Sequence, residues 1–475
     1  MTIDDFKQRI VASLGFAPTA DQWQAMDVFA HFLADRQEHV AMVMSGSAGT
    51  GKTSLASAMV RTLKQVGQKL LLLAPTGRAA KVFALNSGLA AYTIHRKIYR
   101  ERAYTGIDGS FSLNDNLHAD TLFLVDESSM ISNGMGEGQT FGSGCLLDDL
   151  MQFVYSGRNC RIMFIGDNAQ LPPVGESESP AMSKQVIEGY GMTVYQAHLD
   201  EVVRQGADSG ILYNATAIRL MATRNEATMM PRIRLKGFAD VEVVRGDELI
   251  ETLASSYSHA GVDDTIVITR SNKRANIYNI GIRNQVLGRE EMLCSGDQLM
   301  VVKNNYSLTA AEKDPAAPPF IANGDRCRVG RVRAMRELYG FSFAEARLVF
   351  PDYDDYEIET TVLLSTLTSE APALARDDQE RLYQAVMADY ADFSRKSDRM
   401  AQLRKDKHFN ALQIKYGYAI TCHKAQGGQW AHVYLDQGYM NDEMLGADYI
   451  HWLYTAFTRA TEKLYLVNWP QSQTE

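Results

Sequence analysis

Long apolar runs, a surplus of basic residues, paired cysteines and internal repeats are all missing from this chain. No run approaches the length that crosses a bilayer as a helix, which excludes a helical integral membrane protein. The opening Met1-Thr-Ile-Asp-Asp-Phe6 lacks the basic and apolar regions of a secretory signal. A soluble cytoplasmic protein, with no membrane partner, is the expectation. Cys145, Cys160, Cys294, Cys327 and Cys422 form no C-x-x-C pair, so the cysteines point to neither a zinc site nor a disulfide framework. With 48 Lys and Arg against 57 Asp and Glu, the net charge is −9. A nucleic-acid site, if present, must therefore be a local groove rather than a global basic surface.

What the chain does have is length, at 475 residues, and an ordinary 45% of hydrophobic residues with 22% charged, which together call for several folded domains. From Val40 to about Gly166 short apolar strands alternate with helical stretches, including Lys69 to Ala74, Thr121 to Val125 and Cys160 to Ile165. That alternation predicts a parallel sheet covered on both faces. Ile98 to Asn114 interrupts it with Asp108-Gly109 between two short runs, which reads as a hairpin. A second α/β region is expected to open near Thr193 and to resume after about Ala411. Between its halves, strands at Leu299 to Val302, Arg326 to Val332, Ala346 to Phe350 and Tyr356 to Val362 predict a small antiparallel barrel. Leu382, Val386, Tyr390 and Phe393 then recur at helical spacing within a charged segment from Ala373 to Lys407. The expected domains are 1–97 with 119–192, a hairpin insertion at 98–118, 193–290 with 410–475, and an inserted 291–409.

Gly46-Ser-Ala-Gly-Thr-Gly-Lys-Thr53 matches the phosphate loop G-x-x-x-x-G-K-[ST], between an apolar run and a helical one. Gly46, Gly49 and Gly51 let backbone N–H groups, with those of Thr50 and Ser54, turn toward phosphate. Lys52 reaches the outer phosphates and Thr53 offers a hydroxyl to magnesium. ATP with Mg²⁺ is the expected ligand pair. The strand Thr121 to Val125 ends in Asp126-Glu127, at the edge where an open α/β sheet binds ligands. Asp126 suits the magnesium shell and Glu127 suits polarising the attacking water. Gln170, after a further apolar strand, is placed to sense the terminal phosphate, while Leu171-Pro-Pro-Val174 also reads as a rigid turn.

Thr19-x-x-Gln22, the phosphate loop, Ala74-Pro-Thr-Gly-Arg-Ala-Ala-Lys81, Thr93-Ile-His95 and Asp126-Glu127 come in order along the chain. Gly166-Asp-Asn-Ala-Gln-Leu-Pro-Pro-Val174, Leu199-Asp-Glu-Val-Val-Arg-Gln205, Thr421-Cys-His-Lys-Ala-Gln-Gly427 and Tyr454-Thr-Ala-Phe-Thr-Arg-Ala460 follow them. From about residue 16 to 468 this series resembles the motifs of the superfamily 1, class B DNA helicases, in the RecD-like and Dda-like branch. The resemblance implies an α/β fold of two RecA-like P-loop NTPase domains with parallel sheets, plus a small β-hairpin insertion and an inserted small β-barrel domain. It further implies an ATP-dependent helicase moving 5′ to 3′ on single-stranded DNA. A strand motor that displaces proteins or serves a nuclease complex without unwinding is the alternative.

By the same resemblance Gln22 reads adenine, and Arg204 and Arg459 reach the phosphates from the second domain. An arginine placed there is worth roughly 10³ to 10⁵ in rate. Pro75, Thr76, Gly77, Arg78, Thr93, His95, Thr421, His423 and Lys424 resemble the strand-contacting motifs, and Asn323 a barrel loop that faces DNA. His95 and His423 also read as capping or packing residues. Forked duplex DNA and single-strand-binding, replication or repair proteins are the implied partners. The hairpin falls where relatives carry a strand-separating pin, with Phe111 at the junction or packed on the core, and Tyr104 as its rival. Two departures stand out: Gly428 replaces a serine common in relatives, and the glycine-rich stretch at 133–144 is longer than the family leads one to expect.

Overall fold

The computed structural model describes residues 2–104, 109–134, 142–202, 209–223, 227–305, 308 and 320–475. The first domain holds strands β1 (Val40–Gly46), β2 (Lys69–Ala74), β3 (Ala91–Thr93), β4 (Tyr99–Tyr104), β5 (Gly109–Leu113), β6 (Thr121–Val125), β7 (Arg161–Gly166) and β8 (Thr193–Leu199). Six of them form a parallel sheet in the order β3-β2-β6-β7-β1-β8, and β4 pairs with β5 as the hairpin. Along β1 every residue is buried, and alternate side chains serve two cores. Val40, Met42 and Met44 meet one helical layer, and Ala41 and Val43 meet the other. This two-sided burial is why the strand reads as a continuous apolar run.

The second domain contains β9 (Val241–Val244) and β10 (Thr265–Thr269) and is then interrupted by a closed barrel. The barrel strands are β11 (Gln298–Val301), β12 (Arg326–Leu338), β13 (Phe341–Phe350), β14 (Tyr356–Leu363) and β15 (Leu412–Tyr416). The second sheet is completed by β16 (Ala419–Thr421), β17 (Trp430–Asp436) and β18 (Ala460–Val467), in the parallel order β16-β10-β17-β18-β9. The barrel core is continuous with one core of that sheet, since Leu299 and Val301 cluster with Val267 and Tyr434. A buried carboxylate fastens the two: Asp297 accepts from Arg283 Nε at 3.0 Å, Arg289 Nη1 at 2.8 Å and the Tyr418 hydroxyl at 2.8 Å.

Two expected boundaries are corrected. Thr193–Leu199 does not open the second domain but pairs along β1 as the edge of the first sheet, so the division falls after Leu199. Leu412–Tyr416 belongs to the barrel, pairing with β11 and β14, and Gly417 turns the chain back into the second sheet. The charged segment forms two helices, Arg376–Asp389 and Lys396–Leu403, rather than one. Leu382, Val386 and Leu403 cover Phe341, Phe343 and Leu363 of the barrel.

Phe111 takes the second of the two placements expected for it. Its ring is half-buried and packs with Tyr92 and Leu113 against the first-domain core. The Tyr104 side chain, and residues 135–141 of the glycine-rich stretch, lie outside the described residues. No helix among the described residues is long and apolar enough to cross a membrane.

Candidate active site

Gly51, at φ +78°, caps the helix Lys52–Gln65 in the left-handed conformation, and no side chain bonds to that helix start. Its first N–H groups are thereby presented to an anion. Gly49 is also left-handed, at φ +81°, and a Cβ there would meet Leu212 at 3.0 Å. Lys52 Nζ donates to Ser47 O at 2.8 Å and lies 3.9 Å from Asp167 Oδ2. The ammonium is thus parked against its own loop.

Gly49, Gly51, Lys52, Thr53, Ser54, Asp126, Glu127, Gln170 and Arg459 line a single open cleft between the two sheets. Gly46 and Thr50 lie behind it: a Cβ on Gly46 would strike Leu199 at 2.8 Å, and Thr50 Oγ1 donates to Ser47 O at 2.8 Å. Asp126 is buried, accepts from the Glu127 N–H at 2.9 Å, and is pushed up to about 7 by burial and by the neighbouring Glu127. A buried carboxylate in the same cleft as the Thr53 hydroxyl fits a hard divalent cation that takes two protein oxygens and the rest from phosphate and water. The described residues contain no cluster of three or more His, Cys, Asp or Glu that would hold a metal without the nucleotide. Glu127 sits at φ +52°, an uncommon conformation for a residue with a side chain, at the turn that follows the strand into the cleft.

Gln170 is buried and its Oε1 has no hydrogen-bond partner among the described residues, leaving a polar group unanswered at the cleft wall. Arg459 is buried too, and every acceptor it finds is neutral. Nε donates to Thr455 O at 3.0 Å, Nη1 to Gly428 O at 3.2 Å and Nη2 to Thr458 Oγ1 at 3.0 Å. Three of the five guanidinium N–H donors are used, so two remain, on a buried cation with no carboxylate partner among the described residues. Arg204 lies outside the described residues.

Gln22 is fully buried, and its amide is engaged at both ends. Oε1 accepts from Thr19 N at 3.2 Å, in a capping box, and Nε2 donates to Thr50 O at 3.0 Å. It therefore ties the helix Ala20–Ala34 to the phosphate loop.

The sequence motifs did not reveal how strongly the second domain clasps the 167–171 segment. Tyr454 OH donates to Asp167 Oδ2 at 2.6 Å and accepts from Ala48 N at 2.8 Å. Leu171 N donates to Thr455 Oγ1 at 2.7 Å, and Gln426 Nε2 donates to Leu171 O at 2.6 Å. Their positions inside two matched motifs were the signal available.

The strand-contacting candidates do not form one surface. Thr76 and Thr93 cap helices, accepting from Ala79 N at 3.2 Å and Arg96 N at 3.3 Å, and each hydroxyl keeps its own proton to donate. Gly77 and Thr93 line a groove walled by the barrel residues Phe320, Ala322 and Tyr353. A Cβ on Gly77 would lie 2.9 Å from the Tyr353 hydroxyl. Pro75 is the half-buried residue entering that turn. Arg78 departs from the group, lining the nucleotide cleft and stacking 4.3 Å above the Trp430 ring. His95 packs 5.7 Å from the Tyr99 ring, and burial holds it neutral, with a pKa of about 4. Thr421 ends β16, an edge strand, with His423 exposed and Lys424 half-buried just beyond; crowding lowers both of their pKa values. Asn323 is exposed, and its N–H donates to Asn304 Oδ1 at 2.6 Å.

Phosphate loop, strand-end carboxylates and an opposing arginine, on two parallel sheets, define a P-loop NTPase of two RecA-like domains. Residues 18–230 match an AAA domain model, and residues 416–467 match a UvrD-like helicase C-terminal domain model. The chain is 23% identical over 420 residues to the ATP-dependent DNA helicase Dda of Enterobacteria phage T4, covering 86% of this chain and 90% of that protein. It is 24% identical over 430 residues to the ATP-dependent RecD2 DNA helicase of Deinococcus radiodurans, covering 90% of this chain but spanning only 47% of that protein. Among solved structures it resembles a Bacteroides Pif1 helicase in complex with ADP-AlF3 and single-stranded DNA. There the TM-score is 0.46 at 14% identity, with 97% of this chain and 95% of that one covered. In these matches the chain is similar to the ATP-hydrolysing DNA helicases of superfamily 1, class B, in their Dda-like and RecD-like branch.

Proposed function

We propose that this protein is an ATP-dependent helicase that translocates 5′ to 3′ on single-stranded DNA. The observation that carries the motor reading is Arg459, a buried guanidinium with no carboxylate partner among the described residues, lining the same cleft as the phosphate loop from the opposite domain. A buried cation is costly unless an anion answers it, and the transferring phosphate is that anion. Lys52 would leave Ser47 O for the outer phosphates, Glu127 would orient the attacking water, and Gln170 would meet the terminal phosphate. Bound Mg²⁺ would supply charge neutralisation on the phosphates, with Thr53 and Asp126 as its protein ligands. Because Arg459 and the loop lie on different domains, hydrolysis is tied to their closure, and closure moves one edge strand relative to the other.

Thr76, Thr93 and Thr421, near the ends of β2, β3 and β16, offer hydroxyls that suit a phosphodiester backbone more than base edges, so binding would be largely independent of sequence. The 5′ to 3′ direction rests on the likeness to Dda-like and RecD-like enzymes. The hairpin is read as the strand-separating element, its root held by Phe111. The test is unwinding of a forked duplex carrying a 5′ tail against one carrying a 3′ tail. Preference for the 3′ tail rejects the direction. Tail-stimulated ATP hydrolysis without unwinding favours a motor that displaces proteins.

A further inference from the structure

Trp430, the first residue of β17, is buried where three parts of the molecule meet. Arg78 of the first domain lies 4.3 Å from its ring centroid, and Arg326 of the barrel lies 5.7 Å from it. Arg78 Nη2 also donates to Gln429 O. Arg326 Nη2 donates to Asp263 O at 3.4 Å, and neither arginine has an ion pair among the described residues, so both cations lie against the ring face. Burial and the facing Arg326 depress Arg78 to about 10, against the smaller opposing pull of Asp352 and Asp264. On its other side the indole lies on Gly428, where a Cβ would stand 2.5 Å from Trp430 Cη2. This accounts for glycine in place of the expected serine. Gly428 O in turn accepts from Arg459 Nη1 at 3.2 Å, and Trp430 N donates to Arg459 O at 2.9 Å.

We propose that Trp430 is a positioning residue through which the seating of the barrel governs the aim of Arg459 at the nucleotide. The inference rests on the reading of Arg459 as the phosphate-reaching arginine. Arg326 anchors the barrel to one end of the unit, Arg78 anchors the first domain, and Gly428 O holds the guanidinium at the other end. When DNA shifts the barrel, the indole moves with Arg326, and the carbonyl that orients Arg459 moves with the indole. Arg326 itself does not line the nucleotide cleft.

The test measures ATP hydrolysis with and without single-stranded DNA, together with strand affinity and melting temperature. Arg326→Gln is expected to lower the DNA-stimulated kcat about tenfold, or 1.4 kcal/mol, while the DNA-independent rate and the KM for ATP stay at wild-type values. Trp430→Phe, which keeps a ring face, is expected to retain most of the stimulation, and Trp430→Leu to lose it. A merely structural role would lower the DNA-independent rate and the melting temperature alongside. Unchanged stimulation in Arg326→Gln overturns the proposal, as does equal loss in the Phe and Leu variants. If Trp430→Leu fails to fold, Arg326→Gln still decides. Full turnover in Arg459→Ala would instead sink the underlying reading of that arginine.

Discussion

Tyr454 and Asp167 meet across the domain boundary, the phenol donating to the carboxylate at 2.6 Å while accepting the Ala48 N–H at 2.8 Å. One hydroxyl therefore satisfies a phosphate-loop amide and a buried carboxylate together. Tyr454→Phe would strand both groups, at a cost of about 1–3 kcal/mol. Differential scanning calorimetry should show a melting temperature lower by a few degrees. Asp167, released from Tyr454, would compete for Lys52, so the KM for ATP is expected to rise several-fold. Unchanged melting and KM would reject the latch.

Lys52→Ala or Glu127→Gln should abolish DNA-stimulated ATP hydrolysis while fluorescence anisotropy shows strand binding close to wild type. The first change removes the cation for the outer phosphates and the second removes the group that orients water. Substantial turnover in either variant would exclude the assigned roles.

Phe111→Ala should loosen the hairpin at its root. Losing a half-buried ring costs roughly 1–2 kcal/mol of local packing. Forked-duplex unwinding is expected to fall several-fold while hydrolysis stimulated by single strands remains. Equal loss in both assays would mean that the ring supports the whole domain rather than the hairpin.

Asp325 supplies a pH test of how the barrel sits on the first domain. It is buried, accepts from the Tyr353 hydroxyl at 2.9 Å and from Ala322 N at 2.7 Å, and borders Gly77. Burial raises its pKa from 3.8 to about 7, and the nearby Asp352 adds to the rise. The folded state thus holds a proton that the unfolded state gives up. The resulting stability is complete below about 4 and is lost as pH climbs through about 7. Melting temperatures taken between pH 5 and pH 8 should fall for the wild type more than for Asp325→Asn, which carries no charge at either end. Parallel curves would show that Asp325 ionises freely.

The gathering of Lys52, Asp126, Glu127, Gln170 and Arg459 at one cleft was legible in the sequence because phosphate chemistry restricts the residue types that can serve it. Lys52, Asp126 and Arg459 have few substitutes. Sheet membership was not legible for edge strands. Thr193–Leu199 alternates exposed and buried residues and would suit either sheet; only its pairing with β1 decides. Leu412–Tyr416 is apolar enough for a RecA-like sheet, yet Gly417, whose N–H donates to Gln298 O at 2.8 Å, closes it into the barrel. Arg78 reads as a strand contact from its motif, and Trp430 lies in no motif that the sequence singles out. Both are explained by a ring and two guanidinia brought together from positions distant in the chain.

The contact between Gly428 and the Trp430 indole constrains how this sequence can change. Restoring a serine at 428 while the indole remains would force a clash at 2.5 Å, and shrinking the indole alone would open a void beside Arg459. The two positions therefore form a compensating pair, in which a larger residue at one is tolerated only with a smaller residue at the other. Homologues that carry the serine are expected to lack the tryptophan two residues later, and redesign of this segment should exchange both residues in a single step.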